Sequence, residues 1–256
     1  RCGECEHCRT DGKLPCIPGT AVNNAGTLMG GHMRLHHNRH QVHHHLGVSG
    51  FATHAVLHRS SVVPVGHDVP PEIAAVLGCA VLTGGGAVIN AGQIADGDDV
   101  VIVGLGGVGM AALITAISFG KGKVIGVDAN PDKLARALEL GADASYTPEQ
   151  LKANGLKAPL VIEAAGHPLA FETAVAVTAV GGRTVTVGLP SPEACSTISP
   201  LTLTAEARTI VGSYLGSAVP SRDIPIYEDL WRQGKLPVEE LISGQIALSG
   251  INAGLD

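Results

Sequence analysis

Residues 99–128 read DVVIVGLGGVGMAALITAISFGKGKVIGVD, and this stretch decides the fold of the chain. An apolar, β-branched run, Val100 to Val103, leads into the glycine-rich turn Gly104-Leu-Gly-Gly-Val-Gly109, which is followed by a helix-like run from Met110 to Phe119. A second apolar run extends from Lys123 to Val127. The order strand, glycine turn, helix, strand predicts a βαβ unit, the building block of a parallel sheet.

The spacing of the glycines and of one acidic residue predicts a dinucleotide site. A pyrophosphate must approach the backbone N–H groups at a helix N-terminus more closely than a Cβ allows, and glycines permit that approach. Asp128 lies 24 residues after Gly104, where its carboxylate would bind the adenosine ribose hydroxyls and repel the 2′-phosphate of NADP. The sequence therefore predicts NAD as the cofactor, bound by Gly104, Gly106, Gly107, Val108, Gly109 and Asp128.

A transmembrane helix is the competing interpretation of this stretch, because residues 100–120 carry no charge. However, four of the six residues from Gly104 to Gly109 are glycine. A continuous helix would lose on the order of 1 kcal/mol at each glycine relative to alanine. A strand, a turn and a helix use every one of them, so the nucleotide site is favoured.

Composition and charge place the chain among globular α/β proteins. Its 256 residues are 45% hydrophobic and 16% charged, with 3% aromatic residues and 34 glycines. Such a chain forms one large domain or two ordinary ones. The formal net charge is −6 and no run concentrates Lys and Arg, which disfavours a nucleic-acid partner.

The cysteine usage and the first residues bear on location and completeness. Four of the six cysteines lie within fifteen residues at metal-ligand spacing, and we find no signal peptide or convincing membrane segment. We therefore expect a reducing, cytoplasmic location without a membrane partner. The chain starts at Arg1 without a methionine and already inside a motif, which indicates a fragment or an incomplete chain.

The cysteines follow the pattern C-x2-C-x2-C-x7-C, formed by Cys2, Cys5, Cys8 and Cys16. Four thiolates so close in sequence can surround one ion tetrahedrally, and Zn²⁺ is the usual occupant of a closed all-cysteine site. Such a site is structural, since no coordination position remains for a substrate. Two disulfides, four free thiols and a ferredoxin-like iron–sulfur cluster are the alternatives, although the cluster normally requires other spacings.

Seven histidines lie within the fourteen residues from His32 to His45. This composition can chelate a metal, but nothing in the spacing fixes a geometry, and imidazoles are well solvated in either protonation state. We interpret the segment as a solvated surface loop. We interpret His7 and His67 as surface or capping residues.

The rest of the chain predicts strands and helices in alternation. Before the glycine turn we expect antiparallel strands over Phe51–Leu57 and Ser61–Val65, and a helix from Ile73 to Leu77 that runs into GCAVLTGGGAV. After it we expect helix Leu134–Leu140 between Asn130 and Gly141, strand Leu160–Glu163, helix Pro168–Val180, strands Thr184–Gly188 and Thr209–Tyr214, helix Ser221–Gln233, segment Leu236–Ile242 and strand Gln245–Leu248. This alternation specifies a parallel sheet with helices on both faces and ligands at the carboxyl ends of its strands.

Taken together, C-x2-C-x2-C-x7-C, GCAVLTGGGAV, VGLGGVG and VDANPDK resemble the zinc-dependent medium-chain alcohol dehydrogenase family over nearly all 256 residues. The resemblance implies an α/β fold with a Rossmann doubly wound parallel sheet and a partial GroES-like β-rich catalytic domain. It implies a catalytic domain over residues 1–82 with its zinc lobe at 2–16, an NAD-binding domain over 83–216, and a return to the catalytic domain over 217–256.

The resemblance also assigns roles by position. Cys2, Cys5, Cys8 and Cys16 match the structural zinc lobe. Cys79, whose apolar surroundings alone would indicate an inert core residue, matches the second cysteine ligand of the catalytic zinc. The remaining matches are to the cofactor: Thr83 near the nicotinamide, Asp128 and Lys133 at the adenosine ribose, and Val187, Gly188 and Leu189 as backbone near the carboxamide.

The chemistry that the resemblance implies is Lewis-acid catalysis. In the family, the alcohol replaces a zinc-bound water, ionises near neutrality, and passes a hydride to C4 of NAD⁺. The first catalytic cysteine, the histidine ligand, the acid that supports zinc and the hydroxyl residue of the proton relay would precede Arg1. The last strand and helix would follow Asp256. Cys79 alone cannot hold catalytic zinc, and Gly85 replaces an aromatic residue, so we expect a more open cleft.

Three functional hypotheses follow from these residues. The first is an NAD-dependent zinc alcohol dehydrogenase for small primary or aromatic alcohols, with an alcohol or aldehyde as its small-molecule partner. The second is a thiol-adduct (S-hydroxymethyl) formaldehyde dehydrogenase of the same family. The third, from another class, is a non-enzymatic NAD- or zinc-binding protein, which the incomplete ligand set and the histidines support. The family suggests a homodimer or homotetramer, with Thr209–Tyr214 as a pairing edge.

Overall fold

A six-stranded parallel sheet dominates the computed structural model, which describes residues 2–120 and 122–255. The strands are β1 (Leu35–His37), β2 (His40–Val42), β3 (Val100–Val103), β4 (Val124–Val127), β5 (Ala144–Tyr146), β6 (Ala158–Glu163), β7 (Thr178–Thr186) and β8 (Thr209–Gly212). The large sheet has the order β5-β4-β3-β6-β7-β8, and its neighbours pair in parallel. This is the doubly wound order of dinucleotide-binding folds and confirms the predicted sheet.

Helices cover this sheet and connect its strands. They are α1 (Glu6–Arg9), α2 (Ile17–Asn24), α3 (Pro71–Val76), α4 (Leu82–Gly86), α5 (Gly107–Phe119), α6 (Pro131–Glu139), α7 (Pro148–Asn154), α8 (Pro168–Val177), α9 (Pro200–Ala205), α10 (Pro220–Arg232) and α11 (Ile251–Leu255). A proline in the first turn and a side-chain cap mark several starts, as at Asn130 before α6 and Thr147 before α7.

The helical stretch from Pro71 to Ala91 combines α3 and α4 with two π-helical turns, Leu77–Val81 and Ala87–Ala91. It is long and apolar enough to cross a membrane, yet 56% of its most apolar window is buried within the protein. Its glycines allow very close packing: a Cβ on Gly84 would lie 2.3 Å from the carbonyl oxygen of Val108 at the start of α5. The stretch therefore packs against α5 as a core helix.

The central strands are buried on both faces. Every residue of β3 and β4 is buried, as is typical of parallel strands that helices cover from both sides. On one face, Val101 and Val161 belong to a cluster that includes Leu151 of α7 and Ala174 of α8. The uncharged residues that fit a membrane span in the sequence thus form a strand, a turn and the buried helix α5.

Contacts divide the chain into two compact units. The first unit, residues 1–66 and 243–256, contains the four clustered cysteines and the β1–β2 hairpin. The second unit, residues 67–242, contains the parallel sheet and its helices. The domain boundaries expected from the family, after residues 82 and 216, stay predictions.

Two predicted strands in the first unit are wrong. Phe51–Leu57 and Ser61–Val65 form no strand, and a short 3₁₀ turn, Arg59–Ser61, lies at their junction. The side chains of Phe51 and Val56 are 66% and 69% exposed, so these apolar residues cover no core. Strand propensity largely reflects packing on a half-buried surface, and without that surface the segment stays irregular.

Further differences in the second half of the chain concern both element boundaries and whole elements. Helix α8 ends at Val177 rather than Val180, and the next strand begins at Thr178, whose hydroxyl bonds Ala174 and Thr184. The last strand of the sheet ends at Gly212, and Gln245–Leu248 is not a strand. Strand β5 and helix α7 were not predicted, although Thr147 and Gln150 form a capping box at the start of α7.

Candidate cofactor and metal sites

The glycine turn between β3 and α5 has the geometry that a pyrophosphate requires. Gly104 has a φ of +92°, a conformation that favours glycine, and a Cβ on Gly109 would lie 1.8 Å from the Gly104 carbonyl oxygen. Helix α5 begins at Gly107, and no side chain caps it. A Cβ on Gly106 or Gly107 would meet nothing within 4 Å. The turn is therefore open at Gly106 and Gly107, next to the first amides of α5, among them that of Val108.

Asp128 lies at the carboxyl end of β4, beside the glycine turn. Its Oδ2 accepts a hydrogen bond of 2.8 Å from the amide of Leu105, and its Oδ1 accepts one of 2.9 Å from Asn130. Lys133 places its Nζ 3.7 Å from Oδ2. A carboxylate has about four acceptor positions, so Asp128 retains capacity for two ribose hydroxyls. The structure thus brings Asp128 and Lys133 together with the glycine turn, as predicted.

The predicted carboxamide-binding segment lies farther along the same edge of the sheet. Val187 follows β7, and its amide donates to the Glu163 carbonyl at 2.9 Å. Gly188 lines a cavity of ≈ 380 Å³ together with Glu163, Gly166, His167 and Thr186. Leu189 is 81% exposed.

Cys79 and Thr83 lie on the long helical stretch, one turn apart. Thr83 is buried and Cys79 is exposed, so the interpretation of Cys79 as an inert core residue is wrong. Within residues 2–120 and 122–255, however, Cys79 belongs to no group of three or more potential metal ligands. The described residues alone therefore do not form a catalytic zinc site.

The four clustered thiols do fit a metal ion. The Sγ atoms of Cys2, Cys5, Cys8 and Cys16 all lie within 4.8 Å of one another. A tetrahedral zinc with Zn–S bonds of 2.3 Å requires S···S separations of about 3.8 Å, so a small contraction would complete the site. All four cysteines are free of disulfides.

Backbone amides favour the thiolate form in this lobe. The Cys2 Sγ accepts from the amides of Glu4 and Cys5 at 3.4 and 3.2 Å, and these bonds lower the pKa of the Cys2 thiol to about 6. The Cys16 Sγ accepts from the amides of Cys2 and Gly19 at 3.1 and 3.2 Å. Burial raises the pKa of Cys8 to about 11, so metal binding must release its proton.

The histidine-rich segment does not form a metal site among the residues that the structure describes. No histidine there belongs to a group of three or more ligand atoms, and most of the rings are exposed as expected, although the segment forms the β1–β2 hairpin rather than a loop. His44 is the exception, because it is only 5% exposed. Its Nε2 accepts from the Arg34 amide at 3.1 Å, while its buried Nδ1 has no hydrogen-bond partner among the described residues. His7 holds the cysteine lobe through a 2.7 Å bond to the Pro15 carbonyl.

The expectation that Gly85 opens a cleft is wrong. A Cβ on Gly85 would lie 2.6–2.7 Å from three atoms of the Tyr227 ring and hydroxyl. Tyr227 is 1% exposed, and its burial raises the pKa of the phenol. An aromatic ring from α10 therefore fills the space that the small residue at position 85 leaves.

The hydrogen-bonding roles of Glu163 and of the Leu105 amide at this edge were not predicted from the sequence. The signal for Glu163 was present, because it is an acidic residue at the end of the apolar run APLVI. A charged residue at the end of a buried strand requires several hydrogen-bond donors around it in the folded protein. The contact between Leu105 and Asp128 has no sequence signal, since it depends on two loops that meet in space.

Comparisons with known proteins agree with this geometry. The family model described as "Zinc-binding dehydrogenase" matches residues 107–232. Geraniol dehydrogenase from Castellaniella defragrans is 34% identical over 94% of this chain and 68% of its own length, and alcohol dehydrogenase B from Mycobacterium tuberculosis is 32% identical over 99% and 70%. The crystal structure of benzyl alcohol dehydrogenase from Acinetobacter calcoaceticus superimposes with a TM-score of 0.89 at 29% identity, covering 99% of this chain and 71% of the other.

The chain belongs to the zinc-dependent medium-chain alcohol dehydrogenase family. It is an NAD-dependent oxidoreductase of the zinc alcohol dehydrogenase type, and its cofactors are zinc and NAD. The predictions of family, fold class, enzyme type and cofactors are confirmed at this level. Family membership also decides against the hypothesis of a non-enzymatic binding protein.

Proposed function

We propose that this enzyme oxidises a small primary or aromatic alcohol to the aldehyde, with NAD⁺ as the hydride acceptor. The hydride leaves the alcohol carbon for C4 of the nicotinamide, the hydroxyl proton is released, and the products are an aldehyde, NADH and H⁺. The names of the relatives, which include geraniol and benzyl alcohol dehydrogenases, support this substrate class.

One observation carries the cofactor part of the proposal. The Asp128 carboxylate stands beside the uncapped N-terminus of α5, where an adenosine ribose and a pyrophosphate can bind together. Val187, Gly188 and Leu189 would then contact the carboxamide through their backbone, and Thr83 would pack near the nicotinamide. Cys79 would be one ligand of the catalytic zinc. The four clustered cysteines would not take part in that site.

The test is NADH production from a panel of alcohols, together with zinc content. Benzyl alcohol, geraniol and ethanol probe the proposed class, and S-hydroxymethyl glutathione probes the alternative of a thiol-adduct formaldehyde dehydrogenase. Turnover restricted to the thiol adduct would overturn the proposed substrate class.

A substitution at Asp128 tests the proposed choice of cofactor. We expect Asp128→Gly to weaken NADH binding by about tenfold or more, because a charged acceptor for the ribose is lost. The same variant should bind NADPH better relative to NADH. A wild-type enzyme that prefers NADPH would contradict the role of this carboxylate.

We further propose a cytoplasmic homodimer or homotetramer. Strand β8 is at the edge of the sheet and pairs with β7 alone in the described residues, so its outer side can pair across a two-fold axis. Light scattering after size-exclusion chromatography measures this state, and a monomer at micromolar concentration would contradict it.

A further inference from the structure

Glu163 carries a carboxylate into the interior of the second unit. It is the last residue of β6, it is 1% exposed, and it pairs in register with Val103 on one side and Thr186 on the other. The β6 residues that precede it, from Leu160 to Ile162, are buried and apolar. Burying a charge there costs free energy unless several hydrogen-bond donors replace the lost water. The segments that supply these donors are therefore the ones that the carboxylate holds in place.

Its donors come from the loop after β6 and from the last residue of β7. Oε1 accepts from the amides of Ala165 and Gly166 at 2.9 and 2.7 Å, and Oε2 accepts from the Thr186 hydroxyl at 2.7 Å. Every donor that the described residues give this carboxylate is neutral. Because N–H and C=O point in opposite directions in a trans peptide unit, the two amide bonds also fix where the carbonyls of residues 164 and 165 point.

The main chain of Glu163 also holds the loop after β7. Its carbonyl accepts from the amides of Val187 and Gly188, at 2.9 and 3.4 Å. The two loops touch backbone to backbone, since a Cβ on Gly188 would lie 2.2 Å from the Gly166 amide nitrogen and 3.0 Å from the Glu163 Oε1. A single residue therefore sets the orientation of both loops relative to each other.

The sheet order places these loops over one half of the cofactor crevice. In a doubly wound sheet of this order, a dinucleotide crosses the switch point between the two central strands, here β3 and β6. Asp128 follows β4 and serves the adenosine half. The loops after β6 and β7 lie on the opposite side of the switch point, which belongs to the nicotinamide half.

We infer that Glu163 is a positioning residue for the nicotinamide half of NAD: its carboxylate fixes the 164–166 loop, and through the contact between Gly166 and Gly188 it fixes the 187–189 segment. This inference rests on the proposed binding of NAD at this edge of the sheet. Glu163 itself does not need to touch the cofactor.

The test compares two ligands that share the adenosine half. NADH carries the nicotinamide and ADP-ribose lacks it, and both affinities are measured by calorimetry on the same protein. In Glu163→Ala we expect the Kd for NADH to rise by about tenfold or more, because bonds to a charged acceptor are lost, while the Kd for ADP-ribose stays within about twofold. Glu193→Ala, an exposed acid in the loop after β7, is the matched control and should change neither value.

Conservative variants keep the test valid if Glu163→Ala fails to fold. A glutamine at this position can still accept from both amides, and its NH₂ can donate to the Thr186 hydroxyl, which is able to accept. Glu163→Gln should therefore restore NADH binding to within about threefold of wild type. Thr186→Val, which removes one of the three bonds, should show a smaller loss that is again specific to NADH.

Two results would overturn the inference and leave the NAD site intact. One is an equal loss of affinity for NADH and ADP-ribose in the folded Glu163 and Thr186 variants, which would indicate a general structural role. The other is unchanged NADH binding in all of them. A wild-type protein that binds neither ligand would overturn the proposed site together with this inference.

Discussion

The two units of this protein differ in the interactions that stabilise each of them internally. In the second unit, buried apolar residues extend from Val69 to Val238 and include all of β3 and β4. In the described residues of the first unit, Cys16 is the only buried hydrophobic side chain. A segment that buries so little apolar surface cannot offset its conformational entropy through packing. We therefore expect a metal ion at the four thiols to stabilise the cysteine lobe, whereas buried apolar residues stabilise the sheet.

Zinc removal should produce the largest difference in stability between the two units. Apparent zinc-binding free energies of about 10 kcal/mol or more in small modules are also folding free energies. We expect a chelator, or Cys5→Ser, to abolish hydrogen-exchange protection near Cys2–Cys16. NADH affinity and protection in β3, β4 and β6 should persist. Cys195→Ser, which removes an exposed thiol outside the lobe, should change neither the zinc content nor protection. Retained zinc and protection in Cys5→Ser would contradict a structural site.

A cavity created in the second unit should cause the next largest loss of stability. This loss should be confined to the second unit. Tyr227→Ala removes a ring that is 1% exposed and packs against Gly85. We expect the free energy of unfolding of this unit to fall by about 3–5 kcal/mol, measured by urea denaturation, with zinc content unchanged. The neighbouring Ile226→Ala, at a side chain 46% exposed, should have a much smaller effect. Equal effects of both would argue against the packing seen at Gly85.

Substitutions at two glycines of the same turn should affect different properties, one the stability of the second unit and the other NADH binding. Gly109→Ala places a Cβ 1.8 Å from the Gly104 carbonyl oxygen, so it should destabilise the second unit by about 1–3 kcal/mol. Gly106→Ala has open space around its Cβ, so stability should stay within about 0.5 kcal/mol of wild type. Its methyl group would still obstruct the pyrophosphate, and NADH should bind more weakly. Normal NADH affinity in Gly106→Ala would place the pyrophosphate elsewhere.

The smallest expected effect is a pH dependence of the stability of the second unit. Burial raises the pKa of Asp223, but bonds from Arg222, the Val219 amide and Asn90 outweigh it, so the pKa is lowered on folding. A carboxyl with a lowered pKa stabilises the fold above its unfolded pKa of about 3.9 and loses that contribution as the pH falls further. Asp223→Asn should cost on the order of 1–2 kcal/mol at pH 7.

The difference between Asp223→Asn and wild type should shrink as the pH falls below about 4, because Asp223 of the unfolded wild type then protonates while the folded carboxylate, with its lowered pKa, protonates only at lower pH. Urea denaturation at a series of pH values measures it. Asp229→Asn, at a carboxylate 69% exposed, is the control and should show little effect at any pH. A constant difference between Asp223→Asn and wild type across this range would show that the lost contacts do not depend on the charge of Asp223.

Much of the second unit could be predicted from local sequence. The run Val100–Val103, the glycines that follow and Asp128 each have a local physical reason, so the strand, the turn and the acid are found where expected. The strands predicted at Phe51–Leu57 and Ser61–Val65 failed because β-branched residues form strands only against a surface to cover. Likewise, Gly85 suggested an open cleft because the ring that fills it lies more than a hundred residues away in sequence.

The sequence by itself determined the cysteine cluster, the βαβ unit and the choice of NAD, because each depends on residue types at short, fixed spacings. Only the tertiary structure decided that Glu163 joins two loops, that Tyr227 fills the space at Gly85, and that Cys79 is exposed. These facts depend on contacts between segments distant in sequence. Such contacts follow from how the sheet and helices pack, and no local pattern encodes them.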